Sequence, residues 1–235
     1  MKILLLSLSV AVLAAPGLYA QTFGENVRVN DGAGGDQLLP SLSVSSDGSI
    51  YAVWEDSRNG DFDIYFAKST DAGETWTDPN ARVNDTWPAD QKFPAMAIGP
   101  QGAIFVCWVE TRNAPPLGYD IRFTRSTDGG STWMTPNVRV DDGSPADQWS
   151  PSIAVDDSNI IYIVWEDTRN KDRDIYFARS ADGGLTWSSP NLRVDDGSSG
   201  YQDSPCIGVD SQGNISVVWR DERNGYSDIY FAGST

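Results

Sequence analysis

After its first twenty residues, the chain carries its apolar residues in short runs separated by clusters of Gly, Asp, Asn and Ser, and no stretch sustains a 3.6-residue period. The first group shows the pattern. Ser41 to Ser45 alternates Leu42 and Val44 with serines, and Ser46-Asp47-Gly48 marks a turn. Ile50-Tyr51-Ala52-Val53-Trp54 is a nearly continuous apolar strand, Arg58-Asn59-Gly60 turns the chain, and Asp63 to Lys68 is a third strand. Ala81-Arg82-Val83-Asn84 is a fourth, short and polar enough for an outer edge. Middle strands that are apolar on both faces predict sheets packed between neighbouring sheets.

The group recurs. Arg-Val-Asn/Asp begins at Arg28, Arg82, Arg139 and Arg193, and the strand-ending tryptophans are Trp54, Trp108, Trp165 and Trp219, both series stepping by 54, 57 and 54 residues. The three extra residues lie in the loop from Ala114 to Tyr119. A unit of this length with four strands predicts a blade of an all-β propeller, since the rungs of a β-solenoid are shorter. The chain holds four fourth-strand segments, near Val27, Ala81, Val138 and Leu192, and four sets of first to third strands. The expectation is a ring of four antiparallel blades, with the strand near Val27 completing the last one; the alternative is part of a six- or seven-bladed ring.

Residues 1–20 read as a secretory signal: Lys2, an apolar run from Ile3 to Ala15, and small residues up to Ala20. The run is too short for a comfortable bilayer crossing, so no membrane insertion is expected. Residues 21–235 form the repeat domain, expected to be secreted or periplasmic and bacterial. Without Lys2 that domain has 16 bases against 33 acids, a net charge of −17. This excess of acid argues against a nucleic-acid partner. The absence of histidine excludes Ser-His-Asp and Cys-His catalysis and His-ligated zinc. Two distant cysteines, Cys107 and Cys206, exclude a thiolate zinc site and read as small buried hydrophobes.

The turn after the third strand is the most specific pattern. Ser-x-Asp-x-Gly-x-Thr-Trp occurs as Ser69/Asp71/Gly73/Trp76, Ser126/Asp128/Gly130/Trp133 and Ser180/Asp182/Gly184/Trp187. The carboxylate is suited to accept N–H groups of its own turn, Gly to a positive φ, and Trp to folding back over the hairpin, which is a structural role. These segments resemble the Asp boxes of bacterial neuraminidase repeat proteins, the sialidases and their non-catalytic relatives. That resemblance implies a β-propeller with the Asp boxes on the face away from the ligand. Sialidases carry an early Arg-Ile-Pro, where this chain has Arg28-Val29-Asn30, so no catalytic residue transfers.

The opposite face is formed by the fourth-to-first and second-to-third connections. It carries Arg58, Arg112, Arg169 and Arg223, each flanked by acids. These are candidates for loop-bracing ion pairs or for an anion-binding rim. Residues that break the repeat are the sharper candidates: Trp87, Trp149, Tyr201 and Tyr119, whose rings can stack on sugars, anchor a protein, or pack on one another. Asp141-Asp142-Gly143 and Asp195-Asp196-Gly197 are the candidate calcium loops; no other cofactor or metal is expected. The sequence therefore reads as an exported, non-catalytic propeller that binds a glycan or an extracellular protein. The alternative is a sialidase-like exo-glycoside hydrolase. The oligomeric state is open.

Overall fold

The computed structural model describes residues 23–86, 88–112 and 118–234, with Arg112 described by its backbone. Among them there is no helix, and the chain is a succession of antiparallel sheets. The first contains β1 (Gln37–Val44), β2 (Ile50–Asp56), β3 (Asp63–Ser69) and β4 (Ala81–Arg82). The second contains β5 (Gln91–Ile98), β6 (Ile104–Arg112), β7 (Gly118–Ser126) and β8 (Val138–Arg139). The third contains β9 (Gln148–Val155), β10 (Ile161–Asp167), β11 (Asp174–Ser180) and β12 (Leu192–Arg193). The last contains β13 (Gln202–Val209), β14 (Ile215–Asp221) and β15 (Asp228–Ser234). Strand order within each sheet is sequential.

Each middle strand is sandwiched, as its two-sided apolar pattern requires; every residue of β10 is buried. Sheet packs on sheet along the chain. Between the first and second, Val53, Ile64 and Phe66 meet Met96, Ile104, Val106 and Trp108. Between the second and third, Cys107, Ile121 and Phe123 meet Ile153, Ile163 and Trp165. Between the third and last, Val164 and Ile175 meet Ile207, Val217 and Trp219. The same repeat positions thus build all three cores.

Closure by the first strand is where the structure departs from the expectation. The last sheet has three strands, and among the described residues nothing pairs with the outer edge of β15. Residues 27–30 form no strand; Val29 instead packs against Trp54 and Tyr65 of the first sheet. The anchor is Asp31, which accepts from Arg58 Nη1 at 2.9 Å and exchanges backbone–side-chain hydrogen bonds with Asn80 at 2.8 and 3.1 Å. The same contacts recur further along: Asp142 meets Arg169 and Asn191. Residues 27–31 therefore stand where the end of a preceding blade would stand. Cys206 also departs from expectation, being exposed on β13, because it pairs with Val218 on the uncovered face of the last sheet. Both cysteines are free.

Candidate functional site

The two connections expected to share a face do meet. The N–H groups of Ser57, Thr168 and Glu222 donate to the carbonyls of Asp36, Asp147 and Tyr201 at 3.0, 3.1 and 3.0 Å. The arginines lie behind this rim. Arg58, Arg169 and Arg223 each grip Asp56, Asp167 and Asp221 through Nε and Nη2 at 2.6–2.9 Å. Each guanidinium also stacks on a tyrosine (Tyr65, Tyr176 and Tyr230) about 4 Å from the ring centre. Nη1 reaches back to Asp31, Asp142 and Asp196. Their pKa values are raised, Arg58 and Arg223 first by the hydrogen bond to that aspartate; for Arg169 the same bond outweighs desolvation. All three are engaged within the fold. Trp87 and the Arg112 side chain lie outside the described residues.

Nearer the axis, every inner strand is kinked just before its proline. The register slips between Leu38 and Ser41, Lys92 and Ala95, and Asp203 and Cys206, and opposite Trp149 to Ser152 in β9. Leu39, Phe93, Ser150 and Ser204 take φ of 48–54°, a region that non-glycine residues, and above all residues before proline, avoid. Strain of this kind persists only where the surroundings enforce it. The four kinks turn Leu39-Pro40, Phe93-Pro94, Ser150-Pro151 and Ser204-Pro205 toward one axial pit of about 340 Å³.

The rim of this pit is where the repeat is broken. Across each inner and middle strand pair, one cross-strand position differs in every blade: Leu38 opposite Glu55, Lys92 opposite Val109, Trp149 opposite Glu166, Asp203 opposite Arg220. Two of the carboxylates brace the kinks. Glu55 accepts from the Phe93 N–H at 2.6 Å and Glu166 from the Ser204 N–H at 3.0 Å. Burial raises the Glu55 pKa, opposed by the Phe93 N–H and by Lys92. Glu166 pairs with Arg173 at 3.1 Å, and Asp203 accepts both Nε and Nη2 of Arg220. Trp149 sits with its ring centre 3.8 Å from that of Tyr119 and 5.9 Å from Phe93, edge-on. Tyr201 is exposed, with Arg173 over its ring at 6.0 Å.

The structure thus brings Trp149 and Tyr119 together across 30 residues of sequence and places Tyr201 beside the Glu166–Arg173–Asp203 chain. Glu55, Lys92, Phe93, Glu166 and Asp203 were not singled out from the sequence. The signal was available: they occupy positions after the repeat tryptophan or before the repeat proline where no two blades agree.

At the other end of the blades, the three Asp-containing turns are locally closed. Thr75, Thr132 and Thr186 each donate N–H and hydroxyl to Asp71, Asp128 and Asp182 at 2.5–3.0 Å, and Ser69, Ser126 and Ser180 donate at 2.7 Å. The threonine bonds hold the Asp71 and Asp128 carboxylates at about 2; at Asp182 they outweigh slight desolvation to the same end. Gly73, Gly130 and Gly184 all have positive φ. Trp133 and Trp187 rest edge-on, 5.2 Å from Phe66 and Phe123 of the preceding blade. In the Asp-Asp-Gly loops, Asp141 and Asp195 pair with Arg139 and Arg193 at 2.6 and 2.7 Å, and no group of three or more potential metal ligands occurs among the described residues.

No protein-family model matches the chain, and no curated protein sequence matches it. Solved structures do. A Dyadobacter fermentans protein of unknown function aligns with a TM-score of 0.68 at 17% identity, over 88% of this chain and 68% of the other. A Penicillium chrysogenum α-L-arabinanase complexed with arabinobiose gives 0.66 at 17%, over 84% and 62%. A Hadza microbial sialidase gives 0.62 at 19%, over 83% and 44%. The chain therefore spans about two thirds or less of these proteins. At such identities the likeness concerns the fold, a β-propeller of the architecture used by sialidases and arabinanases.

Proposed function

We propose that this protein is a glycan-acting propeller that takes a sugar at the axial pit and hydrolyses its glycosidic bond there. The observation that carries the reading is the cross-strand pair of Trp149 and Glu166, with Tyr119 against the indole and the pit alongside. An aromatic face beside hydrogen-bonding carboxylates is the usual composition of a sugar subsite, the ring supplying apolar area and the carboxylate accepting from hydroxyls. Glu55 is the proton donor in this proposal. Burial keeps its proton on to higher pH than an exposed carboxyl would, so the proton can pass to the leaving oxygen as the C–O bond breaks and water supplies the new hydroxyl. Neighbours of like fold that carry an activity in their names, the arabinanase and the sialidase, support a glycosidic substrate.

A second reading, binding without hydrolysis, is favoured by the ion pairs that occupy Glu166 and Asp203. In either reading Tyr201 extends the subsite, and Trp87 and Tyr119 join it from the loops; Arg58, Arg112, Arg169 and Arg223 set the rim behind it. The extracellular location and the signal at residues 1–20 belong to this proposal. Release of chromophore from aryl α-L-arabinofuranoside and α-sialoside substrates separates the two readings. Turnover that disappears in Glu55→Gln supports hydrolysis. Oligosaccharide binding with no turnover leaves the binding module, and neither binding nor turnover overturns both.

A further inference from the structure

The two ends of the arc present halves of the same junction that holds the interior together. On the last sheet, Ile229 and Phe231 are 76% and 64% exposed, while their repeat equivalents Ile64, Ile121, Phe66 and Phe123 are buried. Val218 is likewise exposed where Val53, Cys107 and Val164 are buried. On the first sheet, Leu42 is 61% exposed while its equivalents Met96, Ile153 and Ile207 are buried. A groove of about 360 Å³ lined by Val29, Leu38, Leu42, Ala52 and Trp54 runs along it.

The turns repeat the point. A side-chain atom on Gly130 or Gly184 would collide with Phe66 or Phe123 of the preceding blade, at 2.2 and 1.9 Å. At Gly73 the corresponding space holds no phenylalanine, and Trp76 has no preceding ring of the kind that Trp133 and Trp187 rest on. Fourth strands complete the set. Phe66, Phe123 and Phe177 pair with Ala81, Val138 and Leu192. Phe231 has no such partner among the described residues, while Val27, the residue in that repeat position, is exposed and unpaired in any sheet. Arg82, Arg139 and Arg193 reach Asp63, Asp120 and Asp174, whereas Arg28 and Asp228 form no ion pair among the described residues.

We propose that the last sheet receives the first sheet of a second copy of this chain, whose residues 27–30 add to β15 as its fourth strand. Phe231 then packs on the partner's Trp76 and Gly73, Ile229 and Val218 on the partner's Leu42 side, and Asp228 pairs with the partner's Arg28. The occupant is a second copy because the arc superposes on only part of larger propellers, a curvature that keeps its own ends apart. The contact is head-to-tail, so it propagates into a ring or a filament according to its rotation.

Sedimentation over a wide range of concentration reads the association. Wild type is expected to shift from monomer to dimer or larger species. Phe231→Asp, at an exposed position that leaves the monomer folded, is expected to weaken this at least tenfold. Arg28→Asp and Asp228→Arg are each expected to weaken it, and Arg28→Asp/Asp228→Arg to restore it. With Cys206→Ser, a Val27→Cys/Phe231→Cys chain under mild oxidation is expected to cross-link into dimers and ladders. A monomer at every concentration, or cross-linked monomer alone, overturns the proposal, the latter by showing that the chain closes on itself.

Discussion

Arg169→Ala removes one side chain from a junction between blades. The Asp167 side chain is fully buried, and Arg169 supplies two of its hydrogen bonds, at 2.7 and 2.9 Å. It leaves behind the Arg169 N–H and Trp165 Nε1 at 2.9 and 3.2 Å, and Gln148 at 3.5 Å, none of them charged. The substitution also frees Asp142 on the second blade and uncovers the Tyr176 ring. Leaving a buried carboxylate without its counter-charge costs about 3–5 kcal/mol. For a chain of this size that is a fall of about 6–20 °C in melting temperature. Thermal unfolding followed by tryptophan fluorescence measures it. Arg169→Ala/Asp167→Asn is expected to recover a large part of the loss, because no buried charge is then stranded. A loss below about 1 kcal/mol, the range of an exposed ion pair, would refute the reasoning and return Arg169 to the pool of ligand-binding groups.

Phe123→Ala and Phe231→Ala occupy one repeat position in two environments. The first, fully buried, is expected to cost about 3–5 kcal/mol and the second, at dilutions where the chain is monomeric, less than about 0.5, by urea denaturation. Glu55 has a raised folded pKa, so its contribution to stability is fully present below its unfolded value of 4.5 and is lost as pH rises through the folded one. Glu55→Gln, which keeps an acceptor for the Phe93 N–H, is therefore expected to stabilise at pH 7 and to be neutral near pH 4, checked by melting at both. The turn carboxylates run the other way: what Asp71, Asp128 and Asp182 contribute is present above 3.8 and fades as pH falls through about 2, so Asp128→Asn is expected to flatten the acid limb of the stability profile.

The blades were legible because their physics is local. Apolar strands bounded by Gly and Asn turns, repeated at 54-residue spacing, place Trp54, Trp108, Trp165 and Trp219 at the same point in four sheets. The Asp-containing turns were legible for the same reason, since every bond they make lies within seven residues. Closure was not, because it depends on the angle between successive sheets, which the composition of Val27-Arg28-Val29-Asn30 does not encode. The pit escaped notice through two omissions. The positive φ of Phe93 and Ser150 is invisible in a residue list, and the partners of Trp149 come from another blade. The repeating arginines drew attention by their constancy, yet constancy is what a brace between identical neighbours requires. The varied residues at the same end, Leu38, Lys92, Trp149 and Asp203, were the ones turned toward the axis.

The central claim is that the axial pit takes a sugar. Calorimetric titration of wild type and Trp149→Ala with arabinobiose, longer arabino-oligosaccharides and α-sialyllactose tests it most directly. The account predicts binding of at least one by wild type, weakened by about 1–3 kcal/mol in Trp149→Ala while the variant stays folded. Equal affinity in the two proteins, or no heat from any of these glycans, would contradict it.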